Sequence, residues 1–152
     1  MVLVDDHAPS RAAVETAVRA VGGAIGGSGV SATEGPVLVE LHRPDVVIMA
    51  VGLPDGDGVD AAREVMTRAP CPVILLTSRT DPDVIERASA AGVVAFLLKP
   101  LRPGELGPTL RLAVARFREF EAVRRENEDL KKDVERLKAI VSTTDGFALA
   151  AR

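Results

Sequence analysis

Val46-Val47-Ile48-Met49 is apolar at every position instead of every second one, so a strand built from it must be covered on both faces. Comparable β-rich runs recur along the chain: Met1 to Val4, Ala24 to Val30, Asp45 to Ala50, Pro72 to Thr77 and Val93 to Leu98 are the expected strands. Between them apolar residues return at helical spacing, as in Ala12, Val14, Ala17, Val18 and Val21 before the Gly22-Gly23 stop, and in Val59, Ala62, Val65 and Met66 before Pro70. Five strand-helix repeats predict an α/β protein with a doubly wound five-stranded parallel sheet. The second strand is diluted by Gly26, Gly27 and Gly29, and Gly35-Pro36 stands where the second helix should begin, so that edge of the sheet is expected to be the least regular.

With no Trp or Tyr, the core must be made of Val, Leu, Ile and Ala. The net charge of -3 gives no general attraction to nucleic acid. A lone cysteine, Cys71, forms neither an internal bridge nor a Cys-rich metal site and reads as a buried small hydrophobe. Asp5 and Asp6 interrupt the apolar start, and no apolar run approaches the roughly 20 residues that span a bilayer. The expectation is a cytoplasmic protein without a membrane partner.

From about Pro108 to about Val141 the pattern becomes one long charged helix. Placing Ala113, Phe120, Asn127, Val134 and Val141 at heptad position a puts Arg116, Val123, Leu130 and Leu137 at d. Arg116 breaks this seam, so a coiled coil should begin after it. The g positions are then Glu119, Glu126 and Asp133, and the e positions five residues later are Arg124, Lys131 and Lys138. Each g-to-e′ pair of a parallel homodimer is attractive, and Asn127 at a fixes the register of two strands. A single solvated helix, or one folded back on its own domain, would not need all three features.

Asp5 and Asp6 end the first strand, and ligands of open α/β sheets bind outside the carboxyl ends of the strands. Adjacent carboxylates suit Mg²⁺. Other strand ends bring Ala50, Thr77 and Lys99 to the same rim, and carboxylates with a hydroxyl and an ammonium suggest phosphoryl transfer.

Here the chain resembles the receiver domains of two-component response regulators. The likeness rests on Val2-Leu3-Val4-Asp5-Asp6-His7, Arg43-Pro44-Asp45-Val46-Val47-Ile48-Met49, Gly52-Leu53-Pro54-Asp55-Gly56-Asp57-Gly58, Leu76-Thr77-Ser78 and Leu98-Lys99-Pro100, in that order over about residues 1 to 115. The resemblance implies the flavodoxin-like, CheY-like arrangement of the sheet. It also implies that Asp5 and Asp6 hold Mg²⁺, that Thr77 and Lys99 contact phosphoryl oxygens, that Phe96 moves with Thr77, and that the peptide before Pro100 is cis. The aspartate that ends the third strand in that family and attacks the phosphoryl donor is here Ala50. A methyl group is neither nucleophile nor metal ligand. The expected pocket is therefore closed and metal-poor: no cofactor is required, Mg²⁺ affinity is weakened, and Lys99 pairs with Asp5 or Asp6. Asp55 and Asp57 read as turn and capping residues rather than replacement nucleophiles. His7 and His42 lack a matching ligand set and read as solvated or loop residues.

The resulting division is a receiver at 1–115, a coiled-coil helix at 116–141 and a flexible tail at 142–152. The expected function is a dimeric, non-enzymatic, phosphorylation-independent regulator that contacts a protein partner. The alternative is the receiver and coiled-coil part of an ANTAR-type antiterminator, which the Leu101 to Val141 region also resembles. RNA binding would then belong to a longer form, since Ser142 to Arg152 is too short for the RNA-binding domain of those regulators. An arginine stripe of Arg111, Arg116, Arg118, Arg124 and Arg125 on nucleic-acid phosphates is a further possibility, weakened by interleaved glutamates. A flavin carrier on the same fold would need phosphate to sit against Asp5-Asp6, which repel it.

Overall fold

The computed structural model describes residues 1–150, with side chains described through residue 143. The chain begins with β1 (Val2–Val4), α1 (Ala8–Ala20), β2 (Gly27–Gly29), α2 (Glu34–His42) and β3 (Val47–Ala50). A two-stranded hairpin follows, β4 (Gly52–Leu53) and β5 (Gly56–Asp57), and leads into α3 (Gly58–Arg68). The remainder is β6 (Val73–Thr77), α4 (Pro82–Ala90), β7 (Ala95–Leu98) and α5 (Leu106–Ala150). Five strands form one parallel sheet in the order β2-β1-β3-β6-β7.

The all-apolar strands are explained by what lies on each side. Val2, Val4, Val47, Met49, Val73 and Leu75 join Val39, Val59, Val65 and Ala88 from α2, α3 and α4. Leu3, Ile48, Ile74, Leu76 and Leu97 join Val14 and Val18 of α1 and Leu106 and Ala113 of α5. Alternate residues of one strand thus enter two separate cores, which is the doubly wound arrangement.

Local signals set the helix ends. The His7 ring accepts from the Ser10 backbone N–H at the start of α1, with Pro9 in the first turn, and Gly22 at φ 77° turns the chain beyond its end. Asp57 Oδ1 accepts from Val59 N at 2.7 Å and caps α3. Several expected boundaries are corrected. The strand expected over Ala24 to Val30 pairs only at Gly27–Gly29, because three glycines leave little side chain to pack on an edge strand. Val21 lies past the last turn of α1 and is exposed. The 52–57 turn carries its own hairpin, and α5 begins at Leu106 and continues past Val141. Of the segment read as a flexible tail, side chains from residue 144 on and residues 151 and 152 altogether lie outside the described residues.

Two compact units divide the chain, the first Met1–Phe117 and the second starting at Arg118. No helix among the described residues is long and apolar enough to cross a membrane.

One glycine holds the first unit together where the hairpin returns to the sheet. Gly58 is buried, its N–H donates to Val51 O at 2.8 Å, and a Cβ added to it would be driven into the Ala50 carbonyl oxygen. Backbone cannot move aside as a flexible side chain can. Gly58→Ala is expected to cost about 3 kcal/mol, the upper end of overpacking effects, read as a lower urea midpoint at unchanged slope. A midpoint equal to that of the parent would refute this account of the close approach.

Candidate functional site

Register places the site. Val4 is level with Met49 across β1 and β3, so the next residues, Asp5 and Ala50, end adjacent strands together. Alternation puts both on the side of Leu3 and Ile48. Ala50 is also level with Leu76, and Thr77 with Leu98, which brings Ser78 and Lys99 one step beyond the ends of β6 and β7.

Asp5 is 0% exposed and is the centre of the cluster. Its Oδ1 accepts from the His7 N–H at 3.0 Å and from Lys99 Nζ at 3.2 Å. Lys99 Nζ lies 3.1 Å from Oδ2 as well, an ion pair without an aligned hydrogen bond, so that oxygen is otherwise unpartnered. Arg11 Nη1 donates to the Asp5 carbonyl at 2.9 Å and joins α1 to the same corner. The Lys99–Pro100 peptide is cis, as the resemblance implied.

The other expected residues are distributed differently. Asp6 is exposed and makes no contact with Lys99. Thr77 is 8% exposed, but its hydroxyl donates to Arg79 O at 2.9 Å and accepts from Arg79 N at 3.2 Å, so it closes its own loop. Phe96 is half-buried against the core shared by α2, α3 and α4. Ala50 is 1% exposed and offers only a methyl group.

Neither loop carboxylate substitutes for it. Asp55 accepts from the Thr33 hydroxyl at 2.6 Å and from the Ala32 and Thr33 N–H groups at 2.6 and 3.1 Å, so it caps α2 from the hairpin. Those bonds, the hydroxyl first, lower its carboxyl to about 2 from 3.8. A depressed carboxyl contributes stability that is complete above its ordinary value and is lost as pH falls through about 2. Asp57, besides capping α3, meets Arg87 of α4 at 2.9 Å, and Arg87 also reaches Asp60 at 3.4 Å. Sequence reasoning expected both carboxylates to serve the turn and the next helix, which holds for Asp57 and not for Asp55, and it missed Arg87 and Arg11, whose partners are 30 and 6 residues away without a periodic signal.

The fit of a divalent cation can be judged from the donors. Asp5 is committed to Lys99, Asp6 points to solvent-accessible surface, Ala50 supplies no oxygen, and among the described residues no three His, Cys, Asp or Glu side chains form a group able to hold a metal ion. This donor set does not fit a resident Mg²⁺, which needs several oxygens at near-octahedral positions. Cys71 is buried, and burial pushes its thiol up to about 12, which leaves it unreactive.

In the second unit Phe120, Val123, Leu130, Val134 and Leu137 are 46 to 62% exposed among the described residues. Asn127 lies among them and is exposed too. Arg124 is held by Glu121 at 3.5 Å and Glu128 at 3.4 Å, and Lys138 by Glu135 at 3.6 Å, within the same helix. Pairing with a second helix would exchange these contacts for g-to-e′ ones at little net cost, because exposed pairs contribute only about 0.3–0.5 kcal/mol.

A parallel sheet of this order, with a buried aspartate ending its first strand and a lysine after its last strand, defines a receiver-type signalling module. The chain belongs to the response regulator receiver domain family, whose model matches residues 1–111. It is similar to the transcriptional regulatory protein PdtaR of Mycobacterium tuberculosis, 38% identical over 153 residues that cover 97% of this chain and 75% of that protein. It is also similar to the KDP operon transcriptional regulatory protein KdpE of Escherichia coli, 39% identical over 75 residues, 49% of this chain and 33% of the relative. Among solved structures, a two-component response regulator of the LuxR family from Aurantimonas sp. SI85-9A1 superposes with a TM-score of 0.69 at 26% identity, over 75% of this chain and 83% of that one.

Proposed function

We propose that this chain is a dimeric pseudo-receiver, a non-enzymatic regulator that signals without aspartyl phosphorylation and acts through a parallel coiled coil and a protein partner. The observation that carries the reading is Ala50 beside the Lys99–Asp5 ion pair: the position that the family resemblance assigns to the acceptor has no carboxylate, and the lysine already shares an ion pair with a buried one while part of its side chain stays accessible. Mg²⁺ is not required and binds weakly. The output surface is the exposed seam of Phe120, Val123, Asn127, Leu130, Val134 and Leu137, with β-branched Val134 and Val141 at a and Leu130 and Leu137 at d favouring two parallel strands.

Light scattering with and without Mg²⁺ and acetyl phosphate tests this directly. The expected result is a dimer mass indifferent to both, and no phosphoryl mass increment. Ala50→Asp is expected to raise Mg²⁺ affinity at least about tenfold and to admit phosphoryl transfer, since it returns the third carboxylate. A parent protein that takes up phosphate, or dimerises only in its presence, would sink the reading.

A second reading is favoured by the transcriptional relative at 38% identity, a quarter of which lies outside the matched region. The same receiver and coiled coil would serve an ANTAR-type antiterminator whose RNA binding needs a longer form. Hairpin RNA binding by residues 1–152 alone would contradict that assignment of the RNA contact.

A further inference from the structure

On the phosphorylation-independent reading the chain needs another input, and two cavities of the first unit adjoin along α1. The first, about 550 Å³, lies outside the ends of β6 and β7 and is walled by Pro9, Val14, Leu76, Pro100 and Leu101, with His7, Ser10, Ser78 and Lys99 as its polar residues. The second, about 600 Å³, runs along α1 beside the 101–107 segment, where Ala17, Ala20, Pro103 and Leu106 line it. Ala13 and Leu101 line both, so they form one groove along α1. From Ser10 in the first cavity to Ala20 in the second, ten helical rises amount to about 15 Å.

The charges of this groove are one-sided although the chain as a whole is acidic. Its only Lys, Arg, Asp or Glu residues are Lys99 and Arg102, both cations, and no carboxylate lines either cavity. The Lys99 ammonium has three N–H donors, its side chain is 22% exposed despite the ion pair with Asp5, and the exposed Ser78 hydroxyl beside it makes no hydrogen bond among the described residues. Largely apolar walls with a few polar groups among them are the usual form of a small-molecule site.

We propose that this groove binds a small organic anion with an elongated apolar body, its acidic head on Lys99 and Ser78 and its tail along Ala13 and Ala17 toward Leu106. The proposal deepens the phosphorylation-independent reading by giving it an input. It stands apart in test, because phosphoryl uptake by the parent would undo that reading without touching the groove.

Binding of 8-anilinonaphthalene-1-sulfonate is the probe, with decanoate, decanol and decyltrimethylammonium as competitors. The parent is expected to enhance the dye fluorescence saturably, and decanoate to displace it at least about tenfold more effectively than decyltrimethylammonium. Ala13→Trp fills the shared part of the groove from an exposed helix position and should weaken the dye about tenfold at unchanged melting temperature. Arg102→Glu, at a side chain that makes no hydrogen bond or ion pair among the described residues, should weaken decanoate several-fold and leave decanol unaffected. Dye binding indifferent to Ala13→Trp, equal displacement by cation and anion, or no binding at all, which would leave the groove to a protein partner, overturns the proposal.

Discussion

Lys99→Met is expected to lower the stability of the receiver by about 3–5 kcal/mol, because it removes the partner of a carboxylate that is 0% exposed. The Asp5 carboxylate would keep the His7 N–H at 3.0 Å, one hydrogen bond for a buried charge. Equilibrium urea unfolding checks the magnitude. A companion variant identifies the cause: Asp5→Asn on the Lys99→Met background should return most of the loss, since a neutral amide keeps its oxygen for His7 and needs no counter-ion. If Lys99→Met unfolds at the same urea concentration as the parent, the ion pair is not what holds this corner.

Leu130→Asp is expected to halve the mass seen by light scattering. Leu130 is 56% exposed in the single chain, so the substitution leaves the protomer fold untouched, yet at a d position it sets two carboxylates into the middle of a dimer seam. Burying unpaired charge costs several kcal/mol, more than about a hundredfold in association. Lys132→Asp, at the outward f position of the same helix, is the control and should leave the mass unchanged. A Leu130→Asp protein that remains dimeric would move the dimer contact away from this helix.

These two residues differ in how they could be found. Leu130 belongs to a repeat that any reader of the chain can count, because heptad spacing is local and needs only the helix to be interpreted. The strands were legible for a similar reason: Val46 to Met49 and the run ending at Thr77 carry two-sided burial in every residue, and only helices on both faces satisfy it. The diluted edge at Gly27–Gly29 was foreseen from its glycines, although its length was not, since pairing at an edge depends on what its one neighbour, β1, offers. The hairpin at Gly52–Leu53 and Gly56–Asp57 escaped notice because two-residue strands have no periodicity to detect.

The site was legible as a set of residue types and not as a set of bonds. The chain shows that Asp5, Ala50, Thr77 and Lys99 end strands, because strand ends follow from local apolar runs, and parallel strands joined by helices bring those ends to one rim. It does not show that Lys99 chooses Asp5 over Asp6, that Thr77 turns to Arg79, or that Asp55 caps a helix that begins 21 residues earlier. Those choices are made only in the folded molecule. Hydrogen bonds and ion pairs fall off within a few ångströms, so which partner wins depends on backbone positions fixed by packing far from either residue, whereas apolar burial and heptad repeats are written in the spacing of the residues themselves.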